Sequence, residues 1–302
     1  MFYMKQGCPN FYCTFYQKTD SIVRDGNYFR ANDSRAIQRY RCRSCKKRFS
    51  KSTNTLEYNQ KKRRVNHLLM MLLCSGNSIR RCAMLLDINK NTVLNKIIYL
   101  AKKARLENHD FLEQLKNTPV THMQFDDLIT SEHTKMKPLA ITIAVNSKNR
   151  EILGMRVSKI PAFGLLAKKS RKKYGYRKSN HMNEAHALFK NIKDSISSTA
   201  LIESDEHKRY PELVKKHFPK AHHRQFKGDK GAITGQGELK KRKYDPLFTM
   251  NHTCAMLRAN VNRLIRKTWC TTKKVEMLQN HLDIFMSFYN AIYLPYYASP
   301  IL

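Results

Sequence analysis

The residues best suited to chemistry are three aspartates beside strand-like runs of apolar residues. Asp126 and Asp127 interrupt the run 121–131, and Asp205 follows the apolar residues 200–202 after a short gap. Burying an unpaired carboxylate costs several kcal/mol, so such side chains need a counter-charge. Adjacent strand residues point to opposite faces, so at least one of the first pair faces the packed side or a cleft. We therefore expect Asp126 and Asp205 to share a divalent metal, Mg²⁺ or Mn²⁺.

The eight cysteines divide into a cluster and a scattered set. Two closely spaced pairs near the N-terminus predict a tetrahedral zinc site, and its ligands are Cys8, Cys13, Cys42 and Cys45. Zinc would hold together a module too small to have its own core. Chance clustering of free thiols is the alternative. The other four are expected to be small buried side chains: Cys74, Cys82, Cys254 and Cys270.

The charge balance indicates a polyanionic partner. The 302 residues include 57 Lys and Arg against 23 Asp and Glu, a formal net charge of +34. Such an excess repels itself unless an anion neutralises it, and double-stranded DNA is the partner expected here; general ribosomal-type basicity is the alternative. A hydrophobic content of 41% excludes a disordered polycation. The N-terminus lacks a signal-peptide layout, and no apolar run reaches the roughly 20 residues that span a membrane.

The N-terminal 118 residues are predicted to form two DNA-binding domains, a zinc ribbon (1–52) and a helix-turn-helix (58–118). Basic residues crowd the second cysteine pair and suit phosphate contacts: Arg39, Arg41 and Arg43. Apolar periodicity predicts helices at 61–73 and 79–86 and a third after the turn 87–90. The residues predicted to face the major groove are Lys90, Asn91, Thr92, Asn95 and Lys96. A plain three-helix interaction domain is the alternative.

Residues 119–302 have a strand-rich pattern followed by helices. Strands are predicted at 121–130, 139–145, 151–158, 199–204 and 222–226, and helices at 183–196, 210–218, 249–268 and 274–289. Three strands, a helix, a strand and further helices is the order of the ribonuclease-H-like fold, so the fold class is a multidomain α+β or α/β protein with a mixed sheet flanked by helices. In that fold one aspartate comes from the first strand and another from the end of the fourth. Asp126 and Asp205 occupy those places.

A cationic segment at 162–181 lies between the third strand and the following helix. Lysines and arginines, including Lys172 and Lys173, alternate there with Tyr174 and Tyr176. Charge runs are usually only solvated, but this one lies between structured elements, and its tyrosines can stack on splayed bases. We predict a DNA-contacting loop.

Several motifs resemble those of bacterial insertion-sequence transposases of the DDE type. They are Cys8-Pro9, QRYRCRSC at 38–45, FDD at 125–127, SDEHKRY at 204–210 and the segment 257–270. The resemblance covers nearly the whole chain. It implies a nucleoid-associated, cytoplasmic enzyme that binds terminal inverted repeats and catalyses metal-dependent strand cleavage and transfer as a homodimer or larger assembly. It also implies that Asp126 and Asp205 are the first two catalytic, metal-binding carboxylates.

The third acid of that family is replaced in this chain. The family's glutamate, on the helix that carries Leu257-Arg258, corresponds to Asn251. An asparagine carbonyl can ligate Mg²⁺ or orient a water but supplies no charge, so metal affinity should fall. Asn251 is the predicted third catalytic residue and Glu238 the fallback. Helical spacing places Arg258 on the same face, where it can hold a phosphate of the scissile strand.

Other functions remain open. A zinc-ribbon and helix-turn-helix regulator is the rival from another class, and a catalytically inactive remnant or a nuclease without strand transfer is closer. Asp126 and Asp205 discriminate against the regulator, because it has no need for strand-end carboxylates that face a basic cleft.

Overall fold

Two β-sheets organise the protein. The computed structural model describes residues 7–30, 35–58, 60–227, 245–265 and 268–298. The chain forms two compact units, 1–68 and 69–302, and this division falls within helix α1 (Asn66–Leu73). The content is mixed α+β, with an antiparallel three-stranded sheet and a mixed five-stranded sheet. Crossing a bilayer takes a length and an apolar character that none of the described helices has.

The first unit contains β1 (Ile22–Arg30), β2 (Arg35–Cys42) and β3 (Arg48–Ser50), paired antiparallel in that order. Strand β1 continues through residues 25–27 as a bulge. Arg24 pairs with Tyr40 while Asn27 pairs with Gln38, so the register shifts between them. Gly26 takes a φ of 68° there, which glycine adopts without a Cβ penalty.

Two further helices precede the larger sheet, α2 (Ile79–Leu85) and α3 (Lys90–Leu115). Ser78 caps α2 by accepting a hydrogen bond from the Arg81 backbone N–H at 3.3 Å. Helix α3 extends to Leu115 and packs against α8 (Val275–Phe288). At this contact Arg105 Nε lies 2.6 Å from Asp283 Oδ2. The predicted domain boundary at 118–119 therefore lies inside one compact unit.

The larger sheet has the strand order β6-β5-β4-β7-β8. Its strands are β4 (Val120–Ser131), β5 (Pro138–Asn146), β6 (Ile152–Lys159), β7 (Ile196–Asp205) and β8 (His222–Phe226). The first three pair antiparallel, whereas β7 and β8 run parallel to β4. All nine residues of β5 are buried, as expected for a strand covered on both faces.

Helices flank this sheet. They are α4 (Ala167–Tyr174), α5 (His181–Ile192), α6 (Tyr210–His217), α7 (Phe248–Asn260), α8 and α9 (Leu294–Ala298). On one face Phe125 packs against Phe189 of α5 and Tyr210 of α6, with ring centroids 5.0 and 4.7 Å apart. Helix α7 is joined to β4 through the backbone N–H of Met250, which donates to Gln124 Oε1 at 3.1 Å.

Two predictions of local structure were wrong. The cationic segment is not all loop, because α4 forms between two glycines of positive φ, Gly164 at 59° and Gly175 at 72°. The helix predicted to reach residue 268 ends at Asn260. The β-branched Val261 that follows is extended, with φ −97° and ψ 105°.

Candidate functional site

The parallel register of β4 and β7 aligns Asp126 with Asp205. Gln124 pairs with Glu203, and the second residue after each is one of these aspartates. Residues two apart along a strand share a face, so both carboxylates point to the same side of the sheet. Asp127 points to the other side, toward α5 and α6.

Nearby positive charge does not outweigh the burial of two carboxylates that are themselves still partly exposed. Burial raises the pKa of Asp126 to about 7, and the negative charge of Asp205 adds to this shift, while Arg258 opposes it. Burial also raises the pKa of Asp205, although the charge of His207 opposes this shift. Oδ1 of Asp205 is buried and has no hydrogen-bond partner among the described residues. Two partly buried carboxylates with an orphaned oxygen could hold a divalent cation, since such ions take carboxylate ligands and keep several waters.

Asp127 has a different environment from Asp126. Its cross-strand neighbour Thr142 donates to Oδ1 at 2.6 Å, and His181 Nε2 lies 2.5 Å from Oδ2. Burial alone would raise the pKa of Asp127, but His181, Thr142 and the Tyr210 hydroxyl outweigh it and lower the pKa. Asp127 is thus an ionised, fully partnered side chain that ties β4 to the start of α5 and α6. Sequence reasoning missed these partners because they come from three separate elements.

A buried polar network joins the side of the sheet that carries Asp126 and Asp205 to α7. Gln124 Nε2 donates to Glu203 Oε2 at 2.9 Å and to the Pro246 carbonyl at 2.8 Å. His122 Nε2 lies 2.7 Å from the same Glu203 oxygen. Because Gln124 also accepts from Met250 at the start of α7, this network sets the position of the helix relative to Asp126.

The middle and end of helix α7 lie near the aspartates. The charge of Arg258 acts on Asp126, and burial and Asp126 raise the pKa of Cys254 to about 12. Asn251 is exposed, and its Nδ2 donates to Asp245 Oδ2 at 2.9 Å. It lies on the same helical stripe as Cys254 and Arg258, at spacings of i+3 and i+7. Glu238, the fallback ligand, lies outside the described residues.

The four N-terminal cysteines form a separate cluster. Their sulfur atoms all lie within 4.8 Å of one another, with Cys8 Sγ 3.5 Å from Cys45 Sγ and Cys13 Sγ 3.8 Å from Cys42 Sγ. A tetrahedron with Zn–S bonds of about 2.3 Å has edges of about 3.8 Å. The cluster therefore has the dimensions of a four-thiolate zinc site, and the four residues can bind zinc.

The turns that follow Cys13 and Cys42 supply hydrogen-bond donors to the cysteine sulfurs. Burial would raise the pKa of Cys42, but the backbone N–H groups of Cys45 and Ser44 and the Ser21 hydroxyl outweigh it and lower the pKa to about 6. The backbone N–H of Phe15 donates to Cys13 Sγ at 3.4 Å. At Cys42 the donors stabilise the thiolate, the form that binds metal. The scattered cysteines are buried as predicted, with exposures of 3, 0, 8 and 8% for Cys74, Cys82, Cys254 and Cys270.

Most of the predicted DNA-binding side chains reach the surface. Exposed are Arg41, Arg43, Lys90, Asn91, Asn95, Lys172 and Lys173, and partly exposed are Arg39, Thr92 and Arg258. The prediction that Lys96 faces DNA was wrong, because its side chain is only 3% exposed. It falls on the packed stripe of α3, one turn after Val93 and one before Leu100, so it cannot face a DNA groove in this conformation.

No family model matches this chain, and no curated protein matches it.

Proposed function

We propose that this protein is an insertion-sequence DNA transposase, a metal-dependent nuclease and strand transferase whose larger unit has the ribonuclease-H-like fold. The strand order supports this: three antiparallel strands, then β7 and β8 parallel to the first, with α5 and α6 as the connections. Asp126 lies on the first strand of that sheet and Asp205 at the end of the fourth.

The observation that carries the proposal is the alignment of Asp126 and Asp205 on one face, both partly buried and with raised pKa values that nearby positive charge does not offset. A structural carboxylate is normally partnered, as Asp127 is by Thr142 and His181. A pair held without sufficient partners is typical of a site that binds a cation in function.

The residues around this pair have defined roles in the proposed reaction. A divalent ion bound to such carboxylates supplies Lewis acidity that activates a water or a 3′-hydroxyl and stabilises the leaving oxygen. Asp126 and Asp205 hold it, and the Gln124–Glu203 network keeps α7 in place beside them. Arg258, on that helix, is positioned to bind the phosphate of the scissile strand. Asn251, about two turns before Arg258, orients a water or adds a neutral oxygen ligand.

DNA recognition falls to the exposed cationic residues. The cysteine cluster with β1–β3 is proposed as a zinc ribbon, with Arg41 and Arg43 exposed near its second turn. Helices α2 and α3 are proposed as a helix-turn-helix, with Lys90, Asn91 and Asn95 toward the major groove. Phosphate contacts would make the affinity strongly salt-dependent.

A catalytically inactive DNA-binding relative is the second candidate. It is favoured by the neutral Asn251, which is exposed and bonded to Asp245. Loss of the third carboxylate weakens a magnesium site, but two acidic ligands with retained waters suffice for Mg²⁺.

Plasmid nicking tests the proposal. The full-length protein with Mg²⁺ should convert supercoiled plasmid to the open-circular form, and a linear fragment with the element's ends should give joined products. Asp205→Asn should abolish nicking and leave gel-shift affinity for the same DNA unchanged. Binding without nicking by the unsubstituted protein, with Mg²⁺ and with Mn²⁺, would favour the inactive relative.

A further inference from the structure

The segment between β6 and α5 carries an exposed apolar tip, residues 163–165. Leu165 is 98% exposed and Phe163 64% exposed. Between them Gly164 takes a φ of 59°, and a Cβ built there would meet no atom within 4 Å. The tip is therefore a sharp turn in open space that leaves two large apolar side chains in water.

The rest of this segment is anchored to the sheet. The Lys159 N–H donates to Asn180 Oδ1 at 2.7 Å, and the Asn180 N–H donates to the Lys159 carbonyl at 3.1 Å. Within the segment, Ser170 Oγ donates to the Met136 carbonyl at 2.7 Å, and Arg177 pairs with Glu132 at 3.0 Å. These contacts hold the two ends and the middle of the segment in place, so the position of the exposed tip relative to the sheet is fixed.

The charge around the tip selects an anionic partner. Residues 152–183 include nine Lys and Arg and no Asp or Glu. Five of these cations lie on α4, directly after the tip, and all are exposed: Lys168, Lys169, Arg171, Lys172 and Lys173. A polyanion bound along α4 would bring its neighbouring groups onto Phe163 and Leu165.

We propose that the apolar tip is a wedge that inserts into the base stack of duplex DNA held by α4 and opens it. This inference depends on the proposed function, because it needs DNA as the partner. Phe and Leu wedges unstack base steps at a cost of a few kcal/mol per step, offset by burial of the apolar side chains. DNA that is already unpaired avoids much of that cost, so it should bind more tightly.

Fluorescence anisotropy with two labelled DNAs tests the wedge. The full-length protein should bind a duplex with a short central unpaired bubble about tenfold more tightly than the fully paired duplex, since unstacking is avoided. The double variant Phe163→Ser, Leu165→Ser should lose this preference and keep its affinity for the paired duplex. Leu106→Ser, a 55% exposed leucine on α3, is the matched control and should keep the preference. Lys172→Gln with Lys173→Gln should weaken binding to both DNAs.

Other outcomes overturn the wedge. An equal bubble preference in the protein and in its tip variant, or no preference in either, removes it while plasmid nicking continues to support the transposase. Absence of all DNA binding by the unsubstituted protein overturns the proposed function as well. Sedimentation with anionic vesicles that the tip variant loses would assign the tip to a lipid surface. Concentration-dependent dimerisation that the tip variant loses would assign it to a second copy of the chain.

Discussion

The cysteine cluster and the Asp126–Asp205 pair are both candidate metal sites, and they are built in opposite ways. The cysteines lie at metal-binding separations in a unit with few buried apolar side chains, whereas the aspartates are set into a sheet with an extensive apolar core. Backbone N–H groups favour the thiolate at Cys42, while burial disfavours the carboxylate at Asp126. Metal at the cysteine cluster would maintain the fold of the first unit. Metal at the aspartate pair would offset an unfavourable burial of negative charge that the folded protein already tolerates.

Zinc removal should give the largest effect. Structural zinc contributes roughly 10–16 kcal/mol in small modules, so Cys42→Ser or a strong chelator should unfold the first unit. Hydrogen exchange should show lost protection at 22–50 and retained protection across β4–β7. Cys74→Ala, a buried cysteine outside the cluster, should keep one zinc per chain by metal analysis. Unchanged protection at 22–50 after chelation would contradict the structural role.

Replacing Asp126, a proposed metal ligand, should stabilise the folded protein, whereas zinc removal should destabilise it. The folded state holds the Asp126 proton up to about pH 7, whereas the unfolded chain releases it near pH 4, so stability falls as pH rises through this window. Asp126→Asn should therefore raise the free energy of unfolding by an amount on the order of 4 kcal/mol at pH 8 without magnesium, and by little at pH 4. Urea denaturation at the two pH values measures this difference.

Asp127→Asn is the matched control for that measurement. The lowered pKa of Asp127 means that its contribution is present above the unfolded value and is lost as pH falls, so this variant should be less stable at pH 8. Equal and destabilising effects of both substitutions at pH 8 would show that Asp126 is partnered after all.

The smallest effect is expected at Asn251. It supplies no charge and bonds to Asp245, so Asn251→Ala should lower the nicking rate by about tenfold, with partial recovery at high Mg²⁺. Initial rates across a magnesium titration provide the measurement. A rate equal to that of the unsubstituted protein would remove Asn251 from the site and favour Glu238.

Sequence patterns predicted the strands of the larger sheet and the cysteine cluster well, because both depend on local signals. Apolar runs place β4 through β8 within a few residues, and paired cysteines need only two turns to converge. Gly164 and Gly175 could have marked the ends of α4, but the many charged residues between them favoured a loop over a helix in the prediction.

What the sequence did not predict depends on tertiary contacts. The burial of Lys96 follows from which side of α3 packs inward, and the partners of Asp127 come from β5, α5 and α6. That Asp126 and Asp205 come together was predicted from the order of strands and helices, but the β4–β7 register that puts them on one face is not encoded by any local pattern.

Manganese binding to the zinc-loaded protein tests the central claim most directly, since Mn²⁺ is visible by electron paramagnetic resonance and replaces Mg²⁺ at oxygen sites. We predict that the unsubstituted protein binds Mn²⁺, that Asp126→Asn and Asp205→Asn each abolish this binding, and that Asp127→Asn weakens it less. Mn²⁺ binding that is unchanged by Asp205→Asn, or absent from the unsubstituted protein, would contradict a metal site shared by these two carboxylates.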